Sequence, residues 1–343
     1  MYLEKEINEQ AAVLERLLQE QHENVAQIAA AIRDFNPAYI MIAARGTSDN
    51  AARYGQYVFG SSTRLPVALS TPSLHTLYEA PPNLSKGLVI GISQSGQAED
   101  VRRVLADARS QGALTVSMTN DEESPMAQAA DHHIYLSAGL ERSVAATKTY
   151  TAELTSVAML ATALSQNSEM VEQLTQLPDL MKSTLDMTAN IADWAERYRY
   201  MEQFAAIGRG YNYATAFEIS LKVKELTYVI GEGYSEADFR HGPIATVNEG
   251  FPVIVVAPQG RALPQMLDLL DKLCNKKAEL LVISNDSDAL GYATKTMSIP
   301  EAPEWLSPML GVVPGQVLAM HLALVRGYAV DRPRGLTKVT VTE

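Results

Sequence analysis

Gly87-Leu88-Val89-Ile90-Gly91-Ile92 runs directly into Ser93-Gln94-Ser95-Gly96-Gln97-Ala98-Glu99-Asp100. An apolar run of strand length gives way to a small, hydroxyl-rich loop, and Val101, Val104, Leu105 and Ala108 then recur at helical spacing. The pattern predicts strand, loop and helix in that order. Ser93 to Gly96 would then lie at a helix N-terminus, where free backbone N–H groups and the positive end of the helix dipole favour an anion. Ser93 and Ser95 add hydroxyl donors, Gln94 adds an amide, and Gly96 lets the main chain come close. Phosphate is the natural guest; a well-capped helix is the plainer alternative. No Lys follows the glycine as in a Walker loop, and the second and third glycines of a dinucleotide fingerprint are missing.

The same order of elements surrounds this stretch. Tyr39 to Ala44 is a strand candidate that enters Arg45-Gly46-Thr47-Ser48-Asp49-Asn50 and a helix from about Ala51. Ala113 to Met118 and His132 to Leu136 supply two more strands, and the adjacent histidines of the last are read as structural. Such alternation implies a parallel sheet with helices on both faces. After a helical stretch from about Thr147 to Gln166 and another from about Met170 to Arg199, the pattern repeats. Phe204 to Gly210 echoes Ile42 to Gly46, Val253 to Gly260 echoes the stretch ending at Gly96, and Leu281 to Asp286 echoes Val116 to Asp121. Gly46 and Gly210 stand 164 residues apart, as do Gly96 and Gly260. Equal offsets at two loops indicate an internal duplication. The copies differ where it matters. Ala257-Pro258-Gln259-Gly260 lacks both hydroxyls and carries a proline without an N–H, so phosphate is expected in the first lobe alone.

The chain has 343 residues, is 47% hydrophobic and carries a net charge of −12. That length suits about two domains, and the acidity argues against a nucleic-acid or anionic-membrane partner. The lone Cys274, in a helical pattern from Met266 to Lys277, reads as a buried small side chain. No apolar run reaches membrane-spanning length on this reading, and the mixed charges of Glu4-Lys5-Glu6 do not open a secretory signal, so a cytoplasmic protein is expected. The expected divisions are a helical segment at 1–34, a first lobe at 35–166, a helical connector at 167–199, a second lobe at 200–330 and a tail at 331–343.

The second lobe has its own concentration of chemistry. On a helix starting near Ala214, Glu218, Lys222 and Glu225 fall at i, i+4 and i+7 on one face, with Lys224 elsewhere. An exposed salt-bridged stripe would look the same, but the helix follows a Gly-Arg-Gly loop at a strand end, where open α/β sheets bind ligands. Gly231 to Ser235 and Phe239 to Pro243 read as a long irregular loop carrying His241, either a surface histidine or an acid–base group.

These residues carry a resemblance. Gly46-Thr47-Ser48, Ser93-Gln94-Ser95-Gly96, Val144 to Lys148, Lys222-Val223-Lys224-Glu225, Arg240-His241-Gly242-Pro243 and the tail Asp331 to Lys338 together resemble the isomerase half of glucosamine-6-phosphate synthase, a tandem of two sugar isomerase (SIS) domains, along essentially the whole chain. The resemblance implies an α/β fold of two flavodoxin-like lobes. It implies a sugar phosphate held at Gly46, Thr47, Ser48, Ser93, Gln94, Ser95 and Val144, with neither metal nor cofactor. It further implies Glu225 as general base assisted by Lys222, ring opening by His241, and Lys338 in a tail that closes over the sugar. A homodimer is implied as well, with His241 crossing to complete the partner's site.

Departures from the family pattern shape the expected reaction. The synthase draws ammonia from an N-terminal glutaminase domain with a cysteine at its start, whereas Met1-Tyr2-Leu3 here already opens the helical segment. The expectation is therefore an enzyme working without a glutaminase domain, a deaminase converting glucosamine 6-phosphate to fructose 6-phosphate and ammonia. A deglycase or isomerase of another phosphorylated aminated sugar is an alternative, as is a non-catalytic sugar-phosphate sensor. Gln97 and Ala98 replace the glutamate and threonine of the synthase loop, removing one negative charge and one phosphate donor.

Overall fold

Residues 1–338 are described in the computed structural model; residues 339–343 of the expected tail lie outside them. Ten strands among the described residues form two five-stranded sheets, and every pairing is parallel. The first sheet holds β1 (Tyr39–Ala43), β2 (Val67–Leu69), β3 (Gly87–Ser93), β4 (Leu114–Thr119) and β5 (His132–Tyr135) in the order β2-β1-β3-β4-β5. The second holds β6 (Gln203–Gly208), β7 (Ile230–Ser235), β8 (Pro252–Val256), β9 (Glu279–Ser284) and β10 (Lys295–Ser298) in the order β10-β9-β8-β6-β7. Both follow the flavodoxin-like order. Helices on both faces explain why β3 is buried at all seven positions and reads as a continuous apolar run.

The duplication extends to backbone angles. Gly46 and Gly210 take φ of +56° and +60°, each after an extended arginine, Arg45 or Arg209. The helices that follow, Gly46–Thr63 and Tyr213–Thr227, both end on a left-handed residue, Arg64 at φ 63° and Tyr228 at φ 61°. Those residues too stand 164 apart.

The stretch from Gly231 to Ser235 is not an irregular loop. It is the edge strand β7, paired with β6 along its length. Its glycines are needed for close approach: a Cβ on Gly231 would lie 2.0 Å from the Phe204 ring, and one on Gly233 would lie 2.7 Å from Cα of Phe217. Glycines demanded by packing thus resemble glycines demanded by a turn.

The chain forms two compact units, which do not follow consecutive boundaries. One, here the first unit, comprises Ala12–Glu141 and Lys148–Leu177 with residues 337 and 338, and contains the first sheet. The second comprises Met1–Ala11, Arg142–Thr147 and Pro178–Leu336 and contains the second sheet. The segment 142–147, expected in the first lobe, is instead tied to the second unit. The Glu6 carboxylate accepts from the Arg142 N–H and from the N–H and hydroxyl of Ser143, and the Val144 N–H donates to the Asp331 carbonyl at 3.2 Å. The helical connector is likewise divided, at Leu177 and Pro178, and breaks into Ser168–Thr175, Leu177–Met187 and Ile191–Trp194.

Two further expectations are corrected. Glu304–Val325 is a 22-residue helical run with mean hydropathy 1.6, long and apolar enough to span a membrane; 83% of its apolar window is buried within the protein, where it packs against the helix Tyr213–Thr227. Cys274 is exposed, because the buried stripe of the helix Leu263–Asn275 runs through Met266, Leu269, Leu270 and Leu273 and leaves the next residue to solvent. In β5, His133 Nδ1 lies 2.9 Å from the Ser117 hydroxyl, and burial holds the imidazole pKa below its ordinary value.

Candidate active site

In the first unit, β1 and β3 are neighbours whose chain connections depart in opposite directions, the crevice where open α/β sheets take ligands. Their carboxyl ends deliver the loops at Gly46 and Ser93. Arg45 Nε donates to Asp100 Oδ2 at 2.5 Å, fastening the start of one following helix to the first turn of the other. The second helix begins at Glu99, beyond the hydroxyl-rich loop. Ser93 Oγ accepts the Gly96 N–H at 3.2 Å and Ser95 Oγ accepts the Gln97 N–H at 3.3 Å. A hydroxyl that accepts in this way keeps its own hydrogen to donate. Ser48 differs from the expectation of a phosphate donor, since its hydroxyl donates to the buried carboxylate of Glu153 at 2.7 Å. Thr47 lies half-buried in the first turn of the helix Gly46–Thr63.

The loop also meets the tail. Gln94 Nε2 and Lys338 Nζ both donate to Glu141 Oε2, at 2.7 and 2.9 Å. Glu141 lies outside the motifs that marked the site in the sequence. The equivalence shows only against the strands: Glu141 stands six residues beyond the end of β5 and Glu304 six beyond the end of β10, whereas the offset of 164 would pair Glu141 with Trp305.

Glu304 explains the difference between the lobes. Its carboxylate accepts the Arg261 N–H at 2.8 Å and the Ala262 N–H at 3.2 Å, just before the helix Leu263–Asn275. The second unit's counterpart of the hydroxyl-rich loop therefore holds a carboxylate of its own chain.

The second unit gathers the expected base and its lysine. Glu218, Lys222 and Glu225 share one face of the helix Tyr213–Thr227, as their spacing predicts, and Lys224 is exposed. The face is not a solvated stripe. Lys222 is 1% exposed and Glu218 fully buried, whereas Glu225 is 22% exposed. Lys222 Nζ lies 2.5 Å from Glu225 Oε2 and 3.4 Å from Glu218 Oε1. Burial pulls the lysine pKa down, but the two carboxylates push it up by more, so the ammonium is held above its ordinary range. These groups lie well along the helix, about 18 Å of axial rise from its start to Glu225, and not at the strand-end crevice of their own sheet.

His241 is exposed at the end of the short helix Glu236–Arg240. That helix is pinned to its own unit: buried Glu236 pairs with Arg209 and Arg240, and Arg240 also reaches Asp268 at 2.6 Å. Glu225 precedes β7 and His241 follows it, so a six-residue strand with about 20 Å of rise stands between them. Val144 belongs to the second unit through its bond to Asp331.

Residues 36–163 and 202–326 match the SIS domain. The chain belongs to the SIS family. Along its full length this SIS chain is 32% identical to glutamine–fructose-6-phosphate aminotransferase (isomerizing) of Aquifex aeolicus, and it spans 58% of that relative's length. A crystal structure from Silicibacter pomeroyi, described as a candidate phosphosugar isomerase, is 30% identical with a TM-score of 0.85 over 96% of this chain and 99% of that one. Glucosamine-6-phosphate deaminase of Thermotoga maritima shares the SIS fold at 22% identity, with a TM-score of 0.83 and complete coverage of both chains.

Proposed function

We propose that this SIS protein is an amino-sugar 6-phosphate aldose/ketose isomerase acting in the cytoplasm as a deaminase. The observation that carries the reading is the enclosed group of Glu218, Lys222 and Glu225, in which Lys222 is sealed between two carboxylates and Glu225 is the one that reaches solvent. Glu225, fixed by Lys222 at 2.5 Å and open to solvent, is the carboxylate placed to take a proton from a bound sugar. Ser93, Gln94 and Ser95 would hold the 6-phosphate, with Thr47 beside them.

With the sugar ring opened by a His241 supplied by a second copy of the chain, Glu225 takes the proton from C2 of glucosamine 6-phosphate and returns it to C1. As the aldehyde oxygen gains a proton and the amine nitrogen gives one up, C1 is reduced to a hydroxymethyl carbon and C2 is oxidised to an imine. Water then adds at C2 and ammonia leaves, giving fructose 6-phosphate. The membership of the chain in the SIS family supports the sugar-isomerase part of this reading, and its similarity to an isomerizing aminotransferase supports proton transfer between C1 and C2.

The test is to mix the purified protein with glucosamine 6-phosphate and follow ammonia and fructose 6-phosphate together, with galactosamine 6-phosphate and fructosamine 6-phosphate as controls. Equal release of both products is expected. Glu225→Gln should lower the rate at least about 10²-fold, the contribution of a well-placed general base. Turnover of fructosamine 6-phosphate alone would reject the deaminase assignment, turnover of galactosamine 6-phosphate alone would reject glucosamine as the sugar, and a variant within about tenfold of wild type would remove Glu225 as the base.

A further inference from the structure

Glu141 joins three parts of the first unit on one carboxylate. Its side chain is fully buried. Oε2 accepts from Gln94 Nε2 at 2.7 Å, from Thr149 Oγ1 at 2.7 Å and from Lys338 Nζ at 2.9 Å, while Oε1 accepts the Thr149 N–H at 3.4 Å. Gln94 belongs to the loop after β3, Thr149 to the first turn of the helix Lys148–Ser165, and Lys338 to the tail. The corresponding Glu304 spends both oxygens on backbone N–H groups of its own loop. Glu141 instead takes side chains, one of them on the loop and another on the tail.

We propose that Glu141 is a positioning residue that clamps Lys338 beside the phosphate loop and orients the Gln94 amide. The amide nitrogen carries two hydrogens, so one can be held by Glu141 while the other faces a phosphate oxygen. A carboxylate shut off from water resists losing a cationic partner, because the desolvated charge is costly to leave uncompensated. Lys338 is therefore held by an anchor that leaves its side chain 28% exposed and within reach of a ligand. The role given to the tail rests on the function proposed above, but the first test below needs no sugar.

Trypsin cleaves after lysine, and Lys338 held by Glu141 should be a poor site. Intact-mass analysis of the full chain under limited proteolysis reads loss of residues 339–343 directly. Glu141→Gln should speed cleavage after Lys338 at least about fivefold, since proteolysis follows the population of the open state. Cleavage after Arg334, whose guanidinium stacks over the Tyr228 ring at 4.0 Å, should keep its wild-type rate. If Glu141→Gln does not fold, Glu141→Asp serves, because it keeps the charge but withdraws the carboxylate by one methylene; an increase of at least about twofold is then expected. A wild-type rate after Lys338 in the folded variant, or an equal rise after Arg334, overturns the clamp. With glucosamine 6-phosphate as substrate, Glu141→Gln should lower kcat/KM at least about tenfold, and its loss combined with that of Lys338→Met should fall clearly short of the sum of the two, the excess over Lys338→Met alone reflecting the Gln94 amide. Additive losses also overturn the clamp. Failure of turnover in the unaltered protein would reject the proposed reaction while leaving the proteolysis result standing.

Discussion

Lys222 shows how a common surface pattern becomes a buried charge system. Glu, Lys and Glu at i, i+4 and i+7 ordinarily make a solvated stripe worth a few tenths of a kcal/mol per pair. Here the helix that carries them packs against the apolar run ending at Val325, so the lysine loses water and the carboxylates must replace it. Lys222→Met should destabilise the protein by about 3–5 kcal/mol in urea unfolding, because it strands buried Glu218 without its cation. Glu218→Gln combined with Lys222→Met should recover part of that loss. A single variant as stable as wild type would mean that the lysine does not hold the carboxylates. Since the folded lysine pKa is raised, its contribution is complete below the ordinary lysine value and disappears as pH rises through the folded value.

At the scale of elements, the two loops after β3 and β8 began as copies and now do different things. The loop after β3 keeps two serine hydroxyls, and its Gly96 sits at φ +65°. A Cβ at Gly96 would come within 2.2 Å of Ser124 Oγ, which caps the helix Pro125–Ala129 by accepting the Ala127 N–H. Gly96→Ala combines backbone strain with overpacking and should cost about 2–4 kcal/mol. Gly46→Ala, at φ +56° with no atom within 4 Å of the new Cβ, should cost only the strain, about 1–2 kcal/mol. Urea unfolding of the two variants tests the ranking. The edge strand β7 teaches a related lesson: Gly231 and Gly233 read as loop residues, yet Phe204 and Phe217 occupy the space where side chains would stand.

At the scale of the whole molecule, we propose that a second copy of the chain completes the site with its own His241, since Glu225 and His241 of one chain stand at opposite ends of β7. Glu225→Gln and His241→Asn chains, each inactive, can be unfolded, mixed one to one and refolded. With shared sites, half the dimers are mixed and each mixed dimer keeps one intact site, so activity should recover to about a quarter of wild type under two-fold symmetry. Verified mixed dimers without activity would reject the sharing. The linear order of residues alone determined the parallel α/β class, the duplication at an offset of 164 and the helical face bearing Glu218, Lys222 and Glu225, because strand runs, repeated loops and helical spacing are local patterns. Only the tertiary structure decided that this face is buried, that Ser48 is committed to Glu153, that residues 142–147 join the second unit and that Gln94 meets Lys338 on Glu141. Each of these depends on partners far apart in the chain, and a polar residue's spacing does not reveal which distant charge will replace the water it loses.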